Sequence, residues 1–258
     1  MVNFPALSAI SLAAVVVVFG VTFLIGRRIG RYNVVDVTWG LSFVVVAAIA
    51  AALGTGDLRR RLLLLALVSV WGLRLAWHLT VKLRGKGEDP RYEAHLRGDF
   101  STATVLRKIF AVQAAAAWFV SLPLQLSATT GPTPAALLPV LGIGVALWLL
   151  GVFFEAVGDH QLKVFKADPA NRGAIMDRGL WSWTRHPNYF GDACVWWGLW
   201  LVTITGWPAL ATVLSPVLMT YFLVYGTGAR VAEKHMAGRP GFSEYCSRTA
   251  FFVPRPPR

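Results

Sequence analysis

The sequence AALLPVLGIGVALWLLGVFFEAV, at residues 135–157, decides the class of the fold. Glu155 is its only ionisable residue, and a helix of this length extends about 35 Å at ~1.5 Å per residue. The hydrocarbon core of a bilayer is about 30 Å thick. The stretch therefore predicts a membrane-spanning helix.

Six more apolar blocks lie outward from this stretch along the 258 residues. The chain is 55% hydrophobic and 15% charged, whereas soluble domains are about 45–50% apolar and about 25% charged. We therefore predict an all-α, polytopic membrane bundle of about seven transmembrane helices, forming a single domain over residues 1–258. The other predicted spans are Phe4–Ile25, Val34–Leu53, Leu62–Val81, Ile109–Leu126, Tyr189–Thr205 and Pro208–Thr227.

The distribution of Lys and Arg predicts the orientation. The segments outside the predicted spans carry 21 of these residues on one side and three, Arg59, Arg60 and Arg61, on the other. Cytoplasmic segments hold the excess, so these three arginines are expected in an outer loop. The N-terminus is therefore expected outside, and the C-terminus and any active site in the cytoplasm. This topology accounts for most of the net charge of +12, so membrane lipids are the expected partners and nucleic acid is not.

The remaining composition gives no sign of a metal or an obligate protein partner. The cysteines, Cys194 and Cys246, have neither disulfide nor metal-ligand spacing. We expect two free thiols and no metal.

The second and third predicted spans contain ionisable residues beside tryptophans. Asp36 and Trp39 lie one turn apart, and Trp71, Arg74 and His78 share one helical face. Ionisable groups inside a membrane face a cavity or each other. Two interpretations stay open: a structural ion pair, or a polar wall of a substrate cavity containing Trp39, Arg74 and His78.

A cluster of chemically capable side chains follows the third span. The sequence Glu88-Asp89-Pro90-Arg91-Tyr92 brings two acids, a guanidinium and a phenol together within five residues. A phenol beside such groups can act as a proton donor, because nearby charges and hydrogen bonds tune its pKa. The alternative is a solvated, charge-balanced loop.

A cationic helix end follows the fifth predicted span. Asp159, Lys163 and Lys166 follow one helical face if the helix continues past the membrane surface, and Gln161 and Phe165 follow the neighbouring face. Cations beside an aromatic ring suit the phosphates and base of a nucleotide. The alternative is a snorkelling interfacial helix end.

The sequence RHPNYFGD, at residues 185–192, has the features of an anion site. Pro187 suits the first turn of a helix, which places Arg185 and His186 where free amides and the helix dipole favour an anion. Asn188 and Tyr189 add neutral hydrogen-bonding groups.

This octapeptide resembles the signature of the membrane steroid 5α-reductase and sterol C14-reductase superfamily, and the chain as a whole resembles its bacterial branch, the DUF1295 proteins. Further matches lie at residues 32–40, 71–74 and 88–92, in the Asp159–Lys166 pattern, and in the C-terminal tail, residues 228–258. The resemblance implies an enzyme of the bacterial plasma membrane that transfers hydride from NADPH to an activated carbon–carbon double bond of a lipidic substrate, whether steroid-like, isoprenoid or acyl.

The resemblance also implies site residues. Residues 1–130 would face the substrate, with Tyr92, Asp36 and Arg91 as catalytic groups. Residues 131–258 would bind the dinucleotide, and Glu233 and Tyr245 would close over it. The implied cofactor contacts are Asp159, Gln161, Phe165, Lys166, Arg185, His186, Asn188, Tyr189, Asp192, Glu233 and Tyr245.

Two other functions remain open. Isoprenylcysteine and phospholipid methyltransferases, which use S-adenosylmethionine, carry a similar Arg-His-Pro turn together with a paired Glu-Glu in the tail. Here the corresponding residues are Ala232-Glu233-Lys234, which favours the reductase. A non-enzymatic transporter or scaffold is the third possibility, although the paired repeats typical of transporters are not visible.

Overall fold

The computed structural model describes residues 2–257, with all their side chains except those of Arg91 and His95, so the role predicted for Arg91 lies outside the described side chains. Within this range the chain is helical, and its only β structure is an isolated parallel bridge between Thr184 and Ala250. The α-helical segments are α1 Phe4–Ile29, α2 Val35–Leu53, α3 Leu58–Leu83, α4 Pro90–Leu96, α5 Thr102–Val120, α6 Leu122–Ser127, α7 Leu138–Ala167, α8 Pro187–Thr203, α9 Trp207–Leu210, α10 Leu214–Tyr221, α11 Ala229–Met236 and α12 Phe242–Arg248.

Several short segments depart from α-helical geometry. The π-helical turns are Leu106–Ala111, inside α5, and Phe222–Gly226, after α10. The 3₁₀ turns are Ala135–Leu137, Pro169–Asn171, Gly179–Ser182 and Ala211–Val213.

Six helical stretches among the described residues are long and apolar enough to cross a membrane, which is consistent with an integral membrane protein and confirms the predicted fold class. They are Phe4–Ile29, Val35–Leu53, Leu58–Leu83, Thr102–Val120, Ala135–Ala167 and Trp207–Met236. The remaining predicted span forms α8, which begins at Pro187 and has 17 residues. At ~1.5 Å per residue it is about 26 Å long, shorter than a bilayer core.

The fourth span begins and ends earlier than the hydropathy pattern predicts. Ser101 caps the start of α5 by accepting a hydrogen bond from the Thr104 amide, at 3.4 Å. The helix ends at Val120, ahead of Pro123, which lies in the first turn of α6. Local capping and proline geometry, rather than apolarity, therefore set these boundaries.

The chain forms two compact units. The first contains residues 1–138 and 203–212, and the second contains residues 139–202 and 213–258. In the first unit α2 and α3 approach closely where two glycines meet. A Cβ atom on Gly40 would lie 2.6 Å from the carbonyl oxygen of Gly72. A hydrogen bond of 2.7 Å between the hydroxyls of Thr22 and Thr38 joins α1 to α2.

The second unit is built on a glycine contact between α7 and α8. A Cβ atom on Gly144 would lie 2.8 Å from the carbonyl oxygen of Gly198, and one on Gly151 would lie 2.5 Å from that of Gly191. Glycine permits this approach because its backbone carries no side chain. The contact places the predicted cofactor residues of α7 beside the RHPNYFGD sequence that leads into α8.

A buried arginine joins the start of α3 to the loop after α6. Arg60 is 2% exposed. Its Nε donates to the Ser127 hydroxyl at 2.8 Å, and its Nη2 donates to the carbonyls of Thr130 and Gly131 at 2.9 Å each. The sequence assigned this residue only to an outer loop; the structure makes it a core residue of the first unit.

Replacing Arg60 by Met is expected to lower the free energy of unfolding by about 3 kcal/mol, because the substitution leaves the buried hydroxyl of Ser127 without its donor and removes the bonds to the Ser127, Thr130 and Gly131 carbonyls. Arg59→Met is the matched control, since Arg59 is exposed. The free energy of unfolding of both variants is measured by denaturation in mixed micelles. Equal stability of the two variants would show that the Arg60 hydrogen bonds contribute little.

Candidate functional site

The C-terminal tail lies along the residues that lead into α8. The amide of Arg185 donates to the carbonyl of Ala250 at 2.9 Å, and the amide of Arg255 donates to the carbonyl of Trp183 at 3.0 Å. The Thr184 hydroxyl donates to the Phe252 carbonyl at 2.8 Å. These backbone contacts fix the tail beside the RHPNYFGD sequence.

The side chain of Arg185 extends this attachment to α11 and α12. Its Nε lies 2.6 Å from Glu233 Oε1, and its Nη1 donates to the carbonyls of Cys246 and Thr249 at 3.1 and 2.9 Å. The guanidinium also lies 5.3 Å from the centre of the Phe251 ring. Its Nη2 makes no hydrogen bond with a described residue. One arginine therefore joins three segments and keeps a donor group for a ligand.

His186 is neutral at physiological pH. It is 2% exposed, and this burial lowers its pKa to about 4, although the hydrogen bond with Glu233 acts in the opposite direction. Its Nε2 lies 3.2 Å from Glu233 Oε1, so the neutral ring donates from Nε2. The ring stacks on Tyr189 with centroids 5.8 Å apart. Glu233 is thereby held by both residues of the Arg-His pair.

The facing ends of α7 and α8 contribute two predicted contacts to the same unit. Asn188 donates from Nδ2 to Asp159 Oδ1 at 3.2 Å, and its Oδ1 accepts the amide of Tyr189 at 3.0 Å. Asp159 and Asp192 are each 8% exposed. The structure therefore brings together Asp159, Asn188 and the Arg-His pair, which the sequence assigned to one site.

Gln161 and Tyr245 hold the turn that precedes the octapeptide. Gln161 Oε1 accepts the amide of Leu180 at 3.0 Å, and the Tyr245 hydroxyl donates to the Trp181 carbonyl at 2.7 Å. Tyr245 is buried, which raises its pKa. Gly179 has a φ of +59°, and a Cβ atom there would lie 2.4 Å from Gln161 Nε2. Both polar groups are thus engaged with backbone in this structure.

The cationic end of α7 is more open. Lys163 and Lys166 are exposed, and Phe165 is half-buried. The Phe165 carbonyl, in the last turn of α7, accepts a hydrogen bond from Asn171 Nδ2 at 3.0 Å. These side chains are accessible to a ligand.

The predicted catalytic pair lies in the first unit. The Tyr92 hydroxyl donates to Asp36 Oδ1, and Gln113 Nε2 donates to the Tyr92 oxygen at 3.4 Å. Tyr92 and Asp36 are both half-buried. A phenol, a carboxylate and an amide from three helices therefore form one hydrogen-bonded group. Gln113 was missed by the sequence reasoning, although it is the one polar side chain in the stretch Ala111–Ala117.

Glu88 positions the segment that carries Tyr92. Its carboxylate accepts the amides of Tyr32 and Asn33, the second at 2.9 Å, just before α2. Asn33 Nδ2 donates in return to the Gly87 carbonyl at 2.8 Å. The loop after α3 is thereby fixed to the start of α2, the helix that carries Asp36. The structure makes this acid a positioning group rather than part of a solvated loop.

The three predicted substrate contacts also lie in the first unit. Trp39 packs edge-on against Phe43, with ring centroids 5.3 Å apart. Arg74 and His78 are half-buried on α3. All the predicted catalytic and substrate residues therefore belong to the first unit, and all the predicted cofactor residues to the second.

Comparisons with known proteins identify the family. The family model described as protein of unknown function (DUF1295) matches residues 22–249. The chain is also similar to the probable O-methyltransferase ustE of Ustilaginoidea virens, with 28% identity over 117 residues. That match covers 45% of this chain and 36% of the relative, so the chain spans only about a third of the relative's length. No solved structure matches the chain. The chain belongs to the DUF1295 family.

Proposed function

We propose that this protein is a membrane-embedded, NADPH-dependent reductase that acts on an activated carbon–carbon double bond of a lipidic substrate. The observation that carries the proposal is the hydrogen-bonded group of Tyr92, Asp36 and Gln113. A phenol that donates to a carboxylate and accepts from an amide is held in one orientation, as proton transfer requires.

The charge of the second unit supports the proposal of an anionic cofactor. Segments 158–187 and 228–257 contain ten Lys and Arg residues and five Asp and Glu residues. Two of the acids are neutralised by arginines, Glu233 by Arg185 and Asp177 by Arg248. The remaining surplus of positive charge, with the Nη2 group of Arg185, suits the phosphates of a dinucleotide.

The protein side of the mechanism starts from the orientation of Tyr92. A reduced nicotinamide bound by the second unit would supply hydride for the β-carbon of the substrate. The Tyr92 proton, held by Asp36 in the absence of substrate, would turn to the carbonyl oxygen that polarises the double bond. Negative charge would then develop on that oxygen, and proton transfer from Tyr92 would give the enol. Protonation of the α-carbon, with loss of the proton from the enol oxygen, would complete the saturated product. The apolar helices keep bulk water from the reacting atoms.

Methyl transfer is the second candidate, and the similarity to a probable O-methyltransferase favours it. S-adenosylmethionine carries a net positive charge, however, whereas the second unit has a surplus of cations. Methyl transfer also gives no role to a phenol that is oriented by a carboxylate. The charge distribution and the first-unit site therefore support the reductase more strongly.

We further propose that the protein lies in a bacterial plasma membrane with its active site open to the cytoplasm. The support is the excess of Lys and Arg on one side of the predicted spans.

Isotope transfer tests the reaction. Protein in nanodiscs is incubated with NADPH deuterated on the nicotinamide ring and a panel of steroid, isoprenoid and acyl enones. The expected product is saturated and carries one deuterium at the β-carbon, as read by mass spectrometry. Methylated product in a parallel incubation with S-adenosylmethionine, without reduction of any enone, would replace the reductase by the methyltransferase.

A further inference from the structure

An apolar groove runs along α1 and α5 in the first unit, apart from the residues assigned to cofactor or substrate. Its volume is about 600 Å³, within the range of roughly 300–1,000 Å³ that small-molecule sites occupy. Ten of its eleven lining residues are apolar or glycine. We infer that this groove holds a hydrocarbon chain of an anionic phospholipid from the surrounding bilayer. The inference does not depend on the proposed function.

Small residues on both helices create the groove. Gly20 opens it from α1, where a Cβ atom would meet no atom within 4 Å. Ala111 and Ala114 open it from α5, and Phe19 and Phe110, each 2% exposed, form its floor. The side chains along these two walls are therefore too small to fill the space between the helices.

The helix geometry adds to this opening. The π-helical turn Leu106–Ala111 lies in the wall of the groove and contributes Leu106, Arg107, Phe110 and Ala111 to its lining. A π turn contains an extra residue within the α-helical ladder, and such turns are frequent at functional sites. Val16, on the opposite wall, is 54% exposed, so the groove is open on its outer side.

The charge of Arg107 indicates which kind of lipid occupies the groove. Arg107 is the one charged residue in the lining, and it makes no hydrogen bond or ion pair with a described residue. It lies five residues into α5, about 8 Å along the helix from its start. A long arginine side chain at this depth reaches the headgroup level, where it binds a phosphate through paired hydrogen bonds. An apolar groove with one free guanidinium in its lining matches a lipid with a phosphate-bearing, negatively charged headgroup.

Native mass spectrometry of the full chain tests the site. The protein, in a neutral detergent, is titrated with dioleoyl phosphatidylglycerol or with dioleoyl phosphatidylcholine, which have identical chains. We expect phosphatidylglycerol to bind about fivefold more tightly, the effect of one cation near a phosphate. Equal affinity of the two lipids would overturn the inference.

Three variants separate the contributions. Arg107→Gln should make the two affinities equal, and Gly20→Leu should weaken both lipids at least fivefold by filling the groove. Gly142→Leu is the matched control, because Gly142 lies on α7 with open space around its Cβ position, and it should bind both lipids like the wild type. Equal effects of Gly20→Leu and Gly142→Leu, or a chain dimer that Gly20→Leu alone dissociates, would contradict a lipid site here.

Discussion

Replacement of Tyr92 by Phe is expected to slow reduction by about 100-fold or more while the dissociation constant for NADPH stays within about twofold of the wild-type value. The phenol is the group that donates to Asp36 and accepts from Gln113, so its removal deletes the proposed proton donor. The cofactor residues belong to the second unit and keep their contacts. Single-turnover kinetics and equilibrium titration measure the two quantities.

Tyr32→Phe is the matched control for this prediction. Tyr32 belongs to the same unit, and its ring packs on Phe23 and Phe110 with no described hydrogen bond from its hydroxyl. This variant should reduce substrate at the wild-type rate. Unchanged turnover in Tyr92→Phe, or an equal loss in Tyr32→Phe, would remove Tyr92 from the mechanism.

Replacement of Arg185 by Ala should raise the dissociation constant for NADPH by about 100-fold or more. The guanidinium holds Glu233 and the carbonyls of Cys246 and Thr249, so its loss releases the tail and leaves Glu233 without its cationic partner, next to the proposed phosphate site. Both consequences weaken binding of an anionic ligand. Isothermal calorimetry in detergent measures the effect.

Arg248→Ala is the control, because Arg248 is also a tail arginine but pairs with Asp177 in an ion pair that is largely exposed. We expect a change of threefold or less. Thermal unfolding of Arg185→Ala, Arg248→Ala and Glu233→Gln shows whether each variant is folded when its NADPH binding is measured. A folded Arg185→Ala variant that binds NADPH as tightly as Arg248→Ala would place the cofactor elsewhere.

The sequence predicted the features of this protein that depend on local patterns. Long apolar blocks identify the spanning helices because a bilayer demands length and apolarity, and Pro187 marks the start of α8 because proline fits a first helical turn. The sequence RHPNYFGD was predicted as an anion site from its local pattern, and in the structure its Arg185 and His186 lie beside Glu233 of the tail. The family resemblance to DUF1295 proteins is confirmed.

The pairings between distant segments could not be predicted in the same way. Gln161 and Tyr245 were predicted as cofactor contacts, but their bonds to the backbone, from Gln161 Oε1 to Leu180 and from the Tyr245 hydroxyl to Trp181, were not predicted. A sequence does not show which backbone groups a turn leaves without partners, so it does not show which side chains satisfy them. For the same reason Arg60 was taken as an outer-loop residue, although loop carbonyls surround it.

The most direct test of the central claim is equilibrium binding of NADPH, NADH and S-adenosylmethionine to the purified full chain, titrated in parallel by calorimetry. We predict saturable binding of NADPH, loss of that binding in Arg185→Ala, and no binding of S-adenosylmethionine. Saturable binding of S-adenosylmethionine without binding of either dinucleotide would contradict the reductase and assign the second unit to methyl transfer.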